Sequence, residues 1–219
     1  MDDPACDGER LRATYAQFAV VNRWLAGWRG VFECWLEPRA HPGATLLDVG
    51  CGGGDVARNL ATWSAAAGVP LVVTAVDPDA RAMAFARGRG PCERVRYRRA
   101  TVEDLLADGE RFDFVVSNHV LHHLSEAEVP GFLAATASLA RVAALHNDLR
   151  RNALALAAFA PLRPLFLGSF IVPDGLRSIR RAYRPDELRA LAPEGWRVEC
   201  MPPFRALLAY EVPGTQAAG

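Results

Sequence analysis

Three carboxylates and a run of glycines stand close enough in this chain to serve one ligand. Leu46 to Asp55 reads LLDVGCGGGD and Leu71 to Asp79 reads LVVTAVDPD. Thr45, Leu46, Leu47 and Val49 form a short apolar run suited to a strand buried on both faces of a parallel sheet, with Asp48 interrupting it. Glycines at 50, 52, 53 and 54 follow, and without Cβ atoms they let the backbone turn sharply and approach a ligand before a helix begins near Asp55. Asp77 closes the next strand, where a carboxylate can accept both hydroxyls of a ribose. A nucleoside is the expected guest. A dinucleotide turn of the form G-x-G-x-x-G would place its third glycine at Asp55, and a carboxylate there repels the pyrophosphate that the helix N-terminus should attract.

Asp48 and Asp55 around a glycine turn suit a ligand carrying positive charge, such as the ammonium and sulfonium groups of S-adenosylmethionine. On these motifs the chain resembles the class I S-adenosylmethionine-dependent methyltransferases, over roughly residues 40 to 150 and more loosely beyond. The resemblance implies that Asp48 lies near the methionine amino group, usually through water, and that Gly50 and Gly52 line the methionyl and ribose portions. Asp77 matches the ribose-binding acid, and Pro78 and Glu103 join the cofactor-binding set. Tyr97 to Leu105, YRRATVEDL, resembles the family's adenine stretch, often G-D-A-E-D-L, with Ala100 and Thr101 in place of Gly and Asp. There the main chain at Val102 would meet the adenine edge, and Thr101 offers a hydroxyl where a carboxylate would accept the exocyclic amine. Phe112 to Leu124, FDFVVSNHVLHHL, resembles the fourth strand and its exit, with Asn118 and His119 facing the methionine end. Tyr15 is expected to reach the cofactor from a helix that closes over it, and the product would be S-adenosylhomocysteine.

These residues require a scaffold that brings several strand ends to one rim. Hydrophobic patterning places helices over about 10–37, then strands near 45–49, 71–76, 94–98, 112–117 and 141–147, with helices over 55–67, 79–87 and 126–139 between them. Such alternation implies an α/β, Rossmann-like, doubly wound parallel sheet with right-handed crossovers. Segments 196–201 and 204–212 supply the last two of seven strands as a reversed, antiparallel edge hairpin, as the resemblance implies. The expected organisation is one domain over 1–219, with an N-terminal helical cap over 1–40 and a lid insertion over 148–191.

Methyl transfer from a sulfonium is an in-line displacement, so the protein must hold the acceptor atom behind the methyl carbon and exclude water. A phenol or alcohol gains from losing its proton, and histidine has a suitable pKa for that. His119 and His146 sit at predicted C-terminal strand ends; His119 is expected to contact cofactor or acceptor, and His146 to act as base. His122 and His123 begin a helix, where capping or packing is the expectation, and His41 belongs to a loop.

The insertion is apolar through Leu154, Leu156, Phe159, Leu162, Leu165, Phe166, Leu167, Phe170 and Ile171, and reads either as a roof for a greasy or aromatic acceptor or as a plain packing helix pair. Phe166 and Phe170 are the expected acceptor contacts, with Arg150 or Arg151 for a carboxylate or hydroxylated ring. Asp174, Arg180 and Arg181 are expected to form an ion-pair network that fixes the lid. Tyr15, Phe18, Trp24, Trp28 and Trp35 form a second aromatic surface, mostly core. The whole resembles the small-molecule branch of the family, including quinone-pathway and polyketide-tailoring enzymes. O-methylation of an aromatic or polyketide-like acceptor is favoured. C-methylation, a noncatalytic cofactor-binding module and a nicotinamide oxidoreductase stay open.

The 219 residues carry zero formal net charge with scattered charges, which offers no electrostatic case for nucleic acid or an acidic membrane. RGRGPCERVRYRR, Arg87 to Arg99, is a local exception, read as a solvated connection or as an RNA-contacting patch. All 25 basic residues are arginine, which excludes Schiff-base and P-loop lysine chemistry and, with abundant alanine, suggests a GC-rich bacterial coding sequence. Five cysteines, at 6, 34, 51, 92 and 200, lack metal spacing; no metal is expected, and a reduced cytoplasmic setting is. MDDPACDGER has no signal-peptide core, and Pro161, Arg163 and Pro164 break the most apolar stretch, so stable membrane insertion is not expected. The sequence leaves the oligomeric state open.

Overall fold

The computed structural model describes residues 7–159, 161, 166 and 168–214, with the side chains of 18–25 set aside. The expectations for Cys6, Leu162, Leu165, Leu167 and the side chains of Phe18 and Trp24 lie outside the described residues.

Helix α1 (Gly8–Leu25) begins at Asp7, whose carboxylate accepts the amides of Glu9 and Arg10, the bonding expected of an N-cap. The helices expected over about 10–37 are divided at Gly27, which adopts φ +70°. Only glycine takes that conformation at little cost, and a Cβ there would lie 2.9 Å from the Met201 methyl. A short α2 (Trp28–Val31) resumes the path, continued by a π turn over Phe32–Leu36 and a 3-10 turn over Glu37–Arg39. Trp28, Phe32 and Leu36 are thereby buried against the sheet.

The chain then alternates through β1 (Thr45–Val49), α3 (Asp55–Ala66), β2 (Val72–Val76), α4 (Ala80–Gly88), β3 (Val95–Arg98), α5 (Val102–Ala107), β4 (Phe112–Asn118), α6 (Val129–Leu139) and β5 (Ala140–Leu149). Helices α7 (Ala153–Phe159), α8 (Ile171–Arg181) and α9 (Pro185–Leu191) precede the hairpin of β6 (Trp196–Met201) and β7 (Arg205–Glu211). The seven strands lie in the order β3-β2-β1-β4-β5-β7-β6, with β7 antiparallel to both of its neighbours and the remaining pairs parallel. Strand order reverses beside β1, and such a reversal opens a crevice at the carboxyl ends of β1 and β4.

Apolar packing fills both faces of the sheet. Leu46, Leu60 and Phe114 belong to a cluster with the N-terminal aromatics, while Leu47, Leu105, Val115 and Leu139 form another. Strand β5 runs further than expected, because antiparallel β7 pairs with its last residues through Asp148↔Ala206 and Leu149↔Arg205. Asp148 therefore ends a strand rather than opening the insertion. Arginines brace the connection between α4 and β3, where Arg58, Arg87 and Arg89 donate to the carbonyls of Gly90, Tyr97 and Gly53. Among the described residues no helix is long and apolar enough to cross a membrane.

Candidate active site

A cleft of about 420 Å³ opens at the crevice beside β1. Its floor is acidic. Asp48, from the middle of β1, is almost fully buried, lines the cleft, and has no hydrogen-bond partner on either carboxylate oxygen. Burial first, and the charge of Asp55 after it, push its carboxyl well above the usual carboxylate range. A buried carboxylate left without donors is costly, so the floor waits for a cation or donor from a ligand.

The turn above it is cut to fit backbone alone. Gly50 adopts φ +65°, and a Cβ there would lie 2.7 Å from Val120; Gly54 adopts φ +72°, with Tyr97 at 2.6 Å from its would-be Cβ. The Gly52 amide donates to Asp77 Oδ2 at 3.0 Å and the Asp79 amide to Oδ1 at 2.8 Å, so Asp77 is pinned at the cleft with acceptor capacity to spare. Burial raises the Asp77 carboxyl, partly offset by those two amides. Tyr15, buried on α1, reaches the cleft and packs on Phe85 with ring centres 5.1 Å apart. Cys51 is buried in the turn; burial, then Asp48, push its thiol up, which leaves it an inert packing group.

The opposite wall comes from the exits of β4 and β5. His119 stands at φ +63°, uncommon for a residue with a side chain, held by its amide on the Asn147 carbonyl and by Arg205. Guanidinium nitrogens only donate, so Arg205 occupies the Nε2 lone pair of His119 and leaves the proton on Nδ1. Burial, then the Arg205 charge, hold the His119 ring well below its usual pKa. Arg205 is itself buried and also donates to Asn118 Oδ1 at 2.7 Å and Asn147 Oδ1 at 2.9 Å; burial lowers it to about 10.

Next to it lies a pair that sequence reasoning missed. His122, in the 3-10 turn Leu121–His123, gives its Nδ1 proton to Asp148 Oδ1 at 2.6 Å and its amide to Oδ2 at 3.1 Å. Burial opposes the charge on Asp148, yet His122, with His119 and Arg205, holds its carboxyl below the usual range. His122 is among the residues that line the cleft, and among the described residues its Nε2 makes no hydrogen bond. A carboxylate on Nδ1 fixes this tautomer and makes Nε2 a proton acceptor.

Other expected site residues stand elsewhere. His146, expected as base, is wholly buried beneath α6: Nε2 meets Thr136 Oγ1 at 2.9 Å, Nδ1 meets Ser117 Oγ at 2.7 Å, and Trp196 stacks on the ring. Thr136 spends its hydroxyl proton on helix carbonyls, so both ring nitrogens are committed and His146 is a core residue. His119 reaches the cleft, but with its lone pair taken it is no base. Thr101 caps α5, its hydroxyl accepting the Asp104 amide at 3.2 Å while Asp104 accepts the Thr101 amide, and Val102 is buried in the core. Thr101, Val102 and Glu103 do not line the cleft, whereas Pro78 and Asn118 do. Asn118 Oδ1 is already bonded by Trp28 and Arg205.

The insertion also differs from its expectation. Arg150 and Arg151 are outside the cleft wall, Arg150 with Nε buried and unpartnered and Arg151 paired with Glu187. Phe170 lies 4.4 Å under the Arg10 guanidinium, and neither it nor Phe166 lines the cleft. Helix α8 instead turns a polar stripe inward: Asp174, Arg177, Ser178 and Arg181 line the cleft, while Ile171, Val172 and Ile179 are buried. Asp174 pairs with Arg177 at 3.4 Å. That stripe was legible as an i, i+3, i+4, i+7 pattern.

Residues 46–142 match the family described as a methyltransferase domain. The chain is 30% identical over 172 residues to a ubiquinone biosynthesis O-methyltransferase of Rhizobium etli (strain CIAT 652), covering 74% of this chain and 63% of that one. It is 33% identical over 129 residues to a protein of the same description from Methylobacterium sp. (strain 4-46), covering 55% and 49%. The chain thus spans at most about three fifths of the length of these curated relatives. Its fold is that of human N-acetylserotonin methyltransferase, solved in complex with S-adenosylmethionine: TM-score 0.65, 14% identity, 93% of this chain and 56% of that one. On the family match and the fold, the chain carries a methyltransferase domain over residues 46–142. The cleft fits S-adenosylmethionine on its own terms, through the unpartnered Asp48, the Cβ-free turn at Gly50 and the pinned Asp77.

Proposed function

We propose that this protein methylates a hydroxyl of a small aromatic or polyketide-like acceptor. The observation that carries the reading is the His122–Asp148 pair, with His122 lining the cleft and its Nδ1 fixed on the carboxylate. The names of the relatives, ubiquinone biosynthesis O-methyltransferases, support oxygen as the methylated atom.

When bound, S-adenosylmethionine would supply a methyl group on cationic sulfur for transfer to the acceptor oxygen. Asp48 would hold the ammonium end, Gly50 and Gly52 the backbone contacts, and Asp77 the ribose hydroxyls. His122 takes the hydroxyl proton at Nε2, and Asp148 fixes the ring and stabilises the imidazolium that results. Tyr15 and α8 close the two sides of the cleft against water. His119 contributes a fixed wall rather than proton transfer.

The described cysteines are free, which supports a reducing, cytoplasmic setting. The test is incubation with methyl-labelled S-adenosylmethionine and a panel of catechols and quinols. Formation of S-adenosylhomocysteine with an O-methyl ether supports the proposal. A C-methyl product contradicts the oxygen assignment. Saturable cofactor binding with no turnover on any member contradicts catalysis.

A further inference from the structure

The acceptor wall carries a charge pattern that the cofactor does not explain. Asp48, Asp55 and Asp77 line the cofactor side, where Asp79 is paired with Arg81. Across the cleft, α8 presents Arg177 and Arg181 one helical turn apart on the stripe that faces inward. Like charges at i, i+4 destabilise a helix slightly. The helix dipole accounts for Arg180 and Arg181 in the last turn, where cations are favourable, but not for Arg177 turned toward the cleft. Asp174 answers Arg177 only through an i,i+3 contact of 3.4 Å, with 58% of the Arg177 side chain exposed, a pair weak enough to be exchanged for a ligand anion. Helix α8 also packs on the 3-10 turn that carries His122, so the two guanidiniums border the space where the hydroxyl must lie.

We infer that the acceptor carries an anionic group, bound by Arg177 and Arg181, beside the hydroxyl that faces His122. Arginine suits this role because its planar fork binds a carboxylate or phosphate through two parallel hydrogen bonds. The anion would have to lie within a small-molecule span of the hydroxyl, as in a hydroxylated aromatic acid or its phosphate counterpart. The inference rests on the hydroxyl-acceptor reading above.

The test compares dihydroxybenzoic acids with their methyl esters, with plain catechols and with catechols bearing a phosphate ester, using the full chain and S-adenosylmethionine. The inference expects kcat/KM for an anionic member to exceed that of the neutral ester by about tenfold or more; which of the acid and the phosphate is preferred identifies the anion. R177Q and R181Q should each raise KM for the anionic acceptor and leave the ester's KM and the cofactor Kd unchanged. Equal use of acid and ester, or variants that weaken both alike, would overturn it while the hydroxyl reading stands. No methylation of any member, with cofactor bound, defeats the hydroxyl reading and this inference together.

Discussion

Asp48 and His122 line one cleft, and the fold treats them in opposite ways. Asp48 is buried with neither oxygen bonded, whereas His122 is held by two hydrogen bonds to a carboxylate that is itself buried. On the cofactor side the chain withholds partners, so the ligand must supply them. On the acceptor side the chain completes its own network through Asp148, Arg205, Asn118 and Asn147, and leaves the His122 Nε2 without a hydrogen bond among the described residues. A cofactor with fixed charge can be met by an unsatisfied site, while proton transfer needs a group whose tautomer is settled beforehand.

That contrast predicts unequal responses to substitution. The largest should come from R205M, which removes the Arg205 donor from His119 and Asn147, leaves Asn118 Oδ1 with Trp28 alone, and takes a neighbouring cation from Asp148; unfolding free energy in urea should drop by about 3–5 kcal/mol. A drop within the range of a surface substitution would break the claim that the acceptor wall is held by a completed network.

D48N should act the other way on stability. The Asp48 carboxyl lies above its unfolded value in the folded chain, so its contribution to folding is present below about pH 3.9 and is lost as pH rises through the folded value. At neutral pH the cofactor-free variant should therefore gain about 0.5–2 kcal/mol, while S-adenosylmethionine binds about 10–100-fold more weakly by calorimetry. Unchanged cofactor affinity would remove Asp48 from the proposed site.

His146 sharpens the comparison within a single strand. Burial lowers its ring to about 3, against the pull of Asp148. With the folded value below the unfolded one, the associated stability is complete above about pH 6.5 and is lost as pH falls toward 3, by at most about 1.4 kcal/mol per unit. H146Q should flatten the difference between urea midpoints at pH 7 and pH 5, with turnover per folded molecule retained. The smallest effect is expected from T101A, about 1 kcal/mol of stability from the lost cap with unchanged cofactor affinity; weakened adenine binding would instead restore Thr101 to the site.

The cofactor side was legible because its parts are local. A buried strand, a glycine turn and a helix are contiguous, and Asp77 follows at the end of the next strand. The acceptor side depends on depth, which sequence does not carry. His146 and Asp148 share one face of β5, one pleat or roughly 7 Å apart, and only the longer pairing with β7 brings Asp148 to the rim while α6 covers His146. Thr101 had a local signal, the T-x-x-D capping pattern with Asp104, and family resemblance overrode it. The inward face of α8 was readable as a polar stripe, but the insertion's overall apolar composition pointed to a greasy roof.

The most direct measurement pairs turnover with cofactor binding in His122→Gln, using a hydroxyl acceptor that the wild-type protein methylates. The two-sided account predicts that kcat falls by at least about 100-fold while the S-adenosylmethionine Kd by calorimetry stays at the wild-type value. Turnover close to wild type would contradict it.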